Sequence, residues 1–271
     1  MAVSFGAGDA RAWIAAPGPD DDKYSRGVLG FVTGSPRYPG AAVLGVDAAL
    51  HAGVGMVRYL GTGRPTRLVL QRRPETVTAA GRVQAWVLGS GQDPDDRDDL
   101  TTELLERALG QQVPCVIDSG ALGRVPDAVG PVVVTPHAGE LAGLLGVDRD
   151  AVHDDPDGCA ERAARELGVT VLLKGYRTRI ATPEGMRYTV TAPTTWLATA
   201  GSGDALAGIL GALVATHAGA VARDPRVLAE LAATACVLHG LAGERASGGG
   251  PMTVLGLNAH LPAVIAELLT G

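Results

Sequence analysis

Residues 131–145 have the sequence PVVVTPHAGELAGLL, and this stretch predicts the architecture of the chain. It opens with a run of valines, a pattern typical of a strand that is buried on both faces of a parallel sheet. A turn around Pro136 follows, and the apolar residues of 139–145 then recur at helical spacing. A strand, a turn and a helix in succession indicate one unit of an α/β fold.

The same alternation continues on both sides of this stretch. Short runs rich in Val, Leu and Ile predict strands over residues 28–33, 56–60, 67–70, 84–88, 115–118, 132–135 and 170–173. Helical spacing predicts helices over residues 40–51, 98–109, 139–145, 157–167, 203–217, 225–246 and 258–269. The turn TPEG between residues 177–181 and 186–190 predicts a hairpin. The predicted fold class is therefore α/β, a three-layer sandwich with a mostly parallel central sheet flanked by helices.

The composition and the distribution of charge limit the class of protein. The chain has 271 residues, of which 46% are hydrophobic and 19% are charged, enough for a sizeable core and unlike a disordered chain. Residues 23–271 contain no linker or repeat and are predicted to form one domain, whereas residues 1–22, rich in Gly, Pro and Asp, are predicted to be a loose N-terminal arm. A net charge of -6 with dispersed basic residues argues against nucleic acid as a partner.

Cysteine usage and hydropathy argue for a soluble cytoplasmic protein. The three cysteines are far apart and form no CxxC pair, so neither a disulfide framework nor a structural zinc site is predicted. The longest uncharged apolar run, residues 205–215, is shorter than the roughly 20 residues that span a bilayer. The first residues lack the pattern of a secretory signal. We therefore expect no membrane association.

Residues 198–208, ATAGSGDALAG, open the most apolar predicted helix. Glycines let backbone N–H groups converge, and a helix N-terminus adds partial positive charge, so Gly201, Ser202 and Gly203 are predicted to form an anion hole for a phosphate. Asp204 in the first turn could take a proton from a hydroxyl that attacks a phosphoryl group. The alternative is that Asp204 only caps the helix. The segment matches neither a Walker loop nor a GxGxxG loop.

Other strand ends carry polar or glycine-rich turns. Lys174, one of two lysines in the chain, ends an apolar run and would emerge at the carboxyl edge of the sheet, where ligands of such sheets bind. His137 and Glu140 follow another strand and could contact a ligand or merely favour the helix. Similar turns at Gly34 and Gly89 complete a set that predicts a crevice of nucleotide size. No cluster of residues has metal-ligand spacing, so no metal site is predicted.

Taken together, the blocks resemble a known family. In chain order they are LGFVTGSPRYPGAA, VVVTPHAGELAGLLG, VLLKGYRT and WLATAGSGDALAGIL, with a weaker tail, LHGLAGERASGGGPMT. From about residue 23 to residue 253 the chain resembles the ADP- or ATP-dependent NAD(P)H-hydrate dehydratases of the ribokinase-like superfamily. The resemblance implies repair of NADH or NADPH that has been hydrated at a ring carbon. A nucleotide phosphorylates the added hydroxyl, and phosphate then departs and restores the reduced ring.

The resemblance also implies roles for particular residues. Asp204 would be the base on the substrate hydroxyl, and Gly201, Ser202 and Gly203 would steady the transferred phosphate. ADP or ATP would be the co-substrate, and phosphoryl transfer implies Mg²⁺ with no visible ligand set. The nucleotide would be held by Lys174, Gly175, Tyr176, Arg177, Thr178 and Gly203. The hydrate would be bound by Ala41, Gly91, His137 and Asp204.

The chain departs from the family pattern in three places: Ser90, Ser119–Gly120, and residues 192–194. The family tends towards homo-oligomers, so the resemblance implies a homo-oligomer, for example a tetramer. Because this chain lacks the epimerase domain that some relatives carry, a separate epimerase is expected. One alternative function is a small-molecule kinase of the same superfamily, similar to hydroxyethylthiazole kinase. Another is a catalytically silent nucleotide sensor on the same scaffold.

Overall fold

A computed structural model describes residues 2–270, which form a nine-stranded sheet. The sheet order is β1-β9-β8-β7-β6-β5-β4-β2-β3. Strand β8 runs antiparallel to both of its neighbours, and the other pairs are parallel, which confirms the predicted mostly parallel sheet. The strands are β1 (Val3–Ser4), β2 (Val28–Val32), β3 (Met56–Tyr59), β4 (Ala85–Leu88), β5 (Cys115–Ile117), β6 (Val132–Val134), β7 (Thr170–Leu173), β8 (Arg177–Ala181) and β9 (Arg187–Thr191).

Helices cover both faces of the sheet and complete three layers. One layer contains α1 (Ala7–Ala10), α2 (Pro39–His51), α3 (Gly63–Arg72), α8 (Ser202–Thr216), α9 (Ala218–Arg223), α10 (Val227–Ser247) and α11 (Val254–Thr270). The other contains α4 (Asp99–Leu109), α5 (Ala138–Leu145), α6 (Arg149–Asp154) and α7 (Pro156–Leu167).

Side chains that alternate along each strand build two hydrophobic cores, one on each face of the sheet. In β2, for example, Leu29 and Phe31 belong to the core under α2, α8 and α10, whereas Val28 and Val32 belong to the core under α4 and α5. Complete burial of such a side chain stabilises the fold by about 1.5–3 kcal/mol. Burial on both faces explains why the strands were recognisable as continuous apolar runs.

Two sequence predictions about the fold are wrong. Residues 67–70, predicted as a strand, lie in helix α3, where Val69 faces the core. Four residues are too few to distinguish a strand from one side of an amphipathic helix. The prediction of a loose N-terminal arm is also wrong for residues 3–5. Strand β1 pairs with β9, and Phe5 packs edge-on against Tyr188 at 5.4 Å between ring centroids.

Helix α10 is long and apolar enough to cross a membrane by length and composition. Within the fold, however, 78% of the qualifying window is buried. The helix packs against α8, α11 and the sheet, so its apolar composition is explained by its place in the core.

Candidate active site

The carboxyl ends of β5, β6 and β7 and the N-terminus of α8 surround a cavity of about 730 Å³. This volume is typical of small-molecule sites. The lining brings together the predicted site residues His137, Lys174, Gly175, Tyr176, Thr178, Gly201, Ser202, Gly203 and Asp204. Arg177, by contrast, is exposed on β8 and is not part of the lining.

The start of α8 shows why glycine is needed there. Gly201 has φ +89°, in the left-handed region, and a Cβ at this position would lie 2.4 Å from Cδ1 of Leu44. The backbone N–H of Ser202 donates to the carbonyl of Thr199 at 3.2 Å. Within residues 2–270 the N–H of Gly203 makes no such bond, so it stays available to an anion at the helix N-terminus. The Ser202 N–H, in contrast, is already engaged.

Close packing of α2 on α8 fixes where Asp204 lies. A Cβ on Gly208 would be 2.2 Å from the carbonyl oxygen of Gly45, so the two helix backbones touch at this point. One turn before Gly208 is Asp204, and one turn before Gly45 is Ala41. The contact therefore sets the N-terminal turns of the two helices side by side.

Ala41 and Gly91 meet at this same end of α2. A Cβ added to Gly91 would be 2.3 Å from Cβ of Ala41, so only glycine fits there. Neither residue lines the large cavity, although His137 does. The predicted hydrate-binding residues thus divide between the cavity wall and an adjoining, tightly packed corner.

Asp204 lies in a setting suited to a general base. Its carboxyl is partly buried, and within the described residues its side chain accepts no hydrogen bond. Burial raises its pKa to about 7, with the Asp118 carboxylate adding to the rise and Lys174 opposing it. A base with a pKa near the working pH is effective in proton transfer.

Lys174 is held between two carboxylates beside the start of α8. Its Nζ lies 2.7 Å from Oδ1 of Asp118 and 3.8 Å from Oε2 of Glu140. A Cβ on Gly203 would be 3.6 Å from the same Nζ. Burial would lower the pKa of Lys174, but Asp118 and Glu140 outweigh it and raise that pKa. The residue is therefore a fixed cation next to the predicted anion-binding turn.

Asp118 is a site residue whose role sequence reasoning missed. Besides Lys174, its buried carboxylate accepts hydrogen bonds from Thr135 Oγ1 at 2.8 Å and Ser90 Oγ at 2.9 Å. Its position at the end of β5 was a usable signal, but its partners come from other strands. Ser90, one of the departures from the family pattern, thus supports the site directly.

His137 and Glu140 form a reciprocal cap at the start of α5. The Glu140 N–H donates to Nδ1 of His137 at 3.1 Å, and the His137 N–H donates to Oε2 of Glu140 at 2.7 Å. Because Nδ1 accepts, the neutral His137 ring carries its proton on Nε2. His137 lines the cavity, and its Nε2 lies 3.6 Å from Oε1 of Glu140.

The cavity lining also includes two residues that sequence reasoning did not select, Cys236 and His239 on α10. The weak tail block, which contains LHGLAG, was the sequence signal for His239. Ala192 and Thr194, at the third departure from the family pattern, line the cavity too. Val190, Leu197 and Leu206 are large apolar members of the lining, here called the apolar wall. Such side chains suit a flat ring, whereas Lys174 and the N-terminus of α8 suit phosphate.

Comparison with known proteins agrees with this geometry. The sequence profile of the NAD(P)H-hydrate dehydratases matches residues 29–260. The bifunctional NAD(P)H-hydrate repair enzyme Nnr of Mycobacterium tuberculosis is 45% identical over 226 residues, which cover 79% of this chain and 46% of the relative. The ADP-dependent (S)-NAD(P)H-hydrate dehydratase of Xanthomonas campestris is 34% identical over 222 residues, covering 73% of this chain and 76% of that one.

A solved structure extends the likeness to the fold. The ADP/ATP-dependent NAD(P)H-hydrate dehydratase of Bacillus subtilis, co-crystallised with ATP and Mg²⁺, superposes with a TM-score of 0.87 at 24% identity and covers 98% of this chain and 99% of that one. The fold is ribokinase-like, as predicted. The chain spans about half the length of the Nnr relatives that it matches.

Proposed function

Since the chain belongs to the NAD(P)H-hydrate dehydratase family, we propose that it uses ADP or ATP to dehydrate hydrated NADH or NADPH. The observation that carries the proposal is the position of Asp204. A partly buried carboxylate with its pKa raised to about 7 stands beside both the free Gly203 N–H and the Lys174 ammonium. A base, an anion-binding turn and a cation are what phosphoryl transfer to a hydroxyl requires.

In the proposed reaction, Asp204 removes the proton of the hydroxyl on the hydrated ring. The hydroxyl oxygen forms a bond to the terminal phosphorus of the nucleotide as the bond from that phosphorus to its bridging oxygen breaks, and AMP leaves from ADP, or ADP from ATP. The carbon–oxygen bond then breaks, inorganic phosphate leaves with the electron pair, and the neighbouring ring carbon loses a proton to solvent. The double bond of the reduced nicotinamide is restored, so no oxidant or reductant is needed.

Lys174 and the start of α8 are proposed to stabilise the transferred phosphoryl group. The Lys174 Nζ lies next to both Gly203 and Asp118, so it can neutralise charge on the phosphoryl oxygens without leaving its site. Preorganised donors of this kind lower the barrier because they need not reorient during the reaction. Gly175, Tyr176 and Thr178 are proposed to contact the rest of the nucleotide, and the apolar wall its base.

The carboxylates nearest the cavity do not form an open site for Mg²⁺. Asp118 and Glu140 already hold Lys174 between them, and no group of three or more His, Cys, Asp or Glu side chains within residues 2–270 could hold a metal ion. Mg²⁺ keeps several waters and binds phosphate oxygens. The bound nucleotide would therefore supply its main ligands, and the ion would neutralise phosphate charge.

The proposal includes the oligomeric state and the partner activity. We propose a homo-oligomer, which sedimentation velocity would test directly. The described residues build one sheet with its two helical layers, so we propose that epimerisation of the hydrate is carried out by a catalytic domain other than this one. Complete conversion of a mixture of the two hydrate epimers by this protein, without an added epimerase, would contradict that part.

The test is to mix the protein with NADPH hydrate, Mg²⁺ and either ADP or ATP, and to follow the near-ultraviolet absorbance of the restored nicotinamide. Nucleotide-dependent recovery is the expected result, and the faster trace identifies the preferred donor. A phosphorylated hydrate that accumulates without recovery would instead indicate a kinase. The absence of both products would overturn the proposed function.

A further inference from the structure

One buried titratable side chain at the cavity has no role in the reaction described above. His239 on α10 is 7% exposed and lies in the cavity wall. Its Nε2 is 3.0 Å from the carbonyl oxygen of Ser202 and 3.1 Å from Oγ of the same residue. Ser202 is the first residue of α8, so this contact ties α10 to the turn that is proposed to hold the transferred phosphate.

The chemistry of the contact determines where the protons lie. A carbonyl oxygen only accepts, so Nε2 of His239 must carry the hydrogen. Burial lowers the pKa of His239 to about 4, which keeps the ring neutral near pH 7. Since the same N–H also faces Oγ of Ser202, that hydroxyl accepts at this contact. The hydroxyl proton is then free to be donated elsewhere.

Ser202 is placed to use that proton. Ser202 lines the cavity, and within residues 2–270 its hydroxyl has no hydrogen-bond partner other than His239. Its backbone N–H is engaged by Thr199, so Ser202 can reach a ligand in the anion-binding turn through its side chain. The neighbouring Gly203 N–H would supply a second donor.

We propose that His239 is a positioning residue that orients the Ser202 hydroxyl as a donor to the transferred phosphoryl group. The inference rests on the proposed function and adds a side-chain donor to the anion hole. His239 acts through Ser202 and needs no contact with substrate. Removal of one donor to a transition-state oxyanion costs about 10²–10³-fold in kcat at well-formed sites. Because Lys174 and the Gly203 N–H remain here, we expect a loss of about tenfold.

The kinetic test compares Ser202→Ala, His239→Ala and the double variant. Each single variant should lower kcat about tenfold with a much smaller change in the KM for the nucleotide. The double variant should be no slower than the slower single one, because His239 works through Ser202. His239→Gln, which keeps an N–H donor, should recover part of the loss. Thr234→Ala, a buried substitution on the same helix away from the cavity, is the matched control and should leave kcat unchanged.

Two kinetic results would overturn the proposal. One is a folded His239→Ala variant with the kcat of the unaltered protein, and the other is a double variant whose loss is the product of the two single losses. Nuclear magnetic resonance of ¹⁵N-labelled histidine in the unaltered protein supplies a readout independent of variants and of turnover. A neutral ring with its proton on Nε2 is expected, and a proton on Nδ1 would contradict the assignment. If the unaltered protein shows no hydrate turnover, the proposed function fails while this spectrum still tests the contact.

Discussion

Two aspartates on adjacent helices, Asp47 on α2 and Asp204 on α8, have opposite surroundings. The Asp47 carboxylate is fully buried and accepts from Arg72 Nε at 2.9 Å, Arg73 Nε at 2.8 Å and Asn258 Nδ2 at 2.9 Å. Burial works against its ionisation, but the bonds from His51 and Asn258 and the charge of Arg73 outweigh it and hold the pKa of Asp47 well below its usual range. Within residues 2–270 no comparable donor reaches the Asp204 carboxylate, and burial raises its pKa.

The difference shows how one side chain type serves two purposes in a single core. Donors that surround a buried carboxylate stabilise its charge and make it a permanent anchor, here joining α2, α3 and α11. Burial without such donors leaves the charge under-stabilised, so the carboxylate gains proton affinity and becomes a base. Substitution of each aspartate by asparagine should therefore affect a different property: the stability of the fold for Asp47 and kcat for Asp204.

Asp204→Asn is expected to have the largest effect. It removes the proposed base, so kcat should fall by at least about 100-fold, because a positioned base contributes about 10²–10⁴. The melting temperature should be unchanged or higher, since an under-stabilised charge is lost. Hydrate turnover and thermal unfolding measured on the same preparation check both. A variant that turned over hydrate normally would remove Asp204 from the mechanism.

Asp47→Asn is the matched substitution on the neighbouring helix and should show the reverse pattern. Two arginines would lose their buried counter-ion, and the free energy of unfolding should fall by about 3 kcal/mol. Because folding lowers the pKa of Asp47, this residue stabilises the fold above about pH 4, and its stabilisation is lost as the pH falls below that value. Urea unfolding at pH 7 checks the size, and kcat per folded molecule should not change. If Asp47→Asn and the unaltered protein had the same free energy of unfolding at pH 7, the anchor role would be contradicted.

Asp118→Asn tests whether the charge near Asp204 sets its basicity. Asp118 raises the pKa of Asp204 and holds Lys174, so its neutral replacement should lower kcat at pH 8 about tenfold and shift the acid limb of the pH profile below 7. Asp157→Asn removes an exposed acid that pairs with Arg179 at the surface and is the control. An unshifted acid limb would mean that burial alone raises the pKa of Asp204.

The hydrogen-bond and ion-pair partners of these aspartates also explain how much of the site could be predicted from the sequence. Continuous apolar runs located most strands of the sheet. Strand-end residues such as Lys174 and His137 were selected as candidates because ligands bind at the carboxyl edge of a parallel sheet. The partners of the aspartates could not be predicted, because Asn258 lies 211 positions from Asp47 and Lys174 lies 56 positions from Asp118. Whether an aspartate becomes an anchor or a base depends on such distant donors, which local patterns do not encode.

The smallest expected effect concerns stability and again separates the two aspartates. Because folding raises the pKa of Asp204 from 3.8 to about 7, the native state prefers the protonated carboxyl, and the stability of the unaltered protein should decline as the pH rises from about 4 to 7. Asp204→Asn lacks this titration, so its advantage in melting temperature should grow over that interval and stay constant above it. Solvent screening of the partly exposed carboxyl limits the gain to about 1 kcal/mol. Calorimetry from pH 4 to 8 checks the slope, and an advantage that shrinks as the pH rises would place Asp204 with Asp47 among the anchored carboxylates.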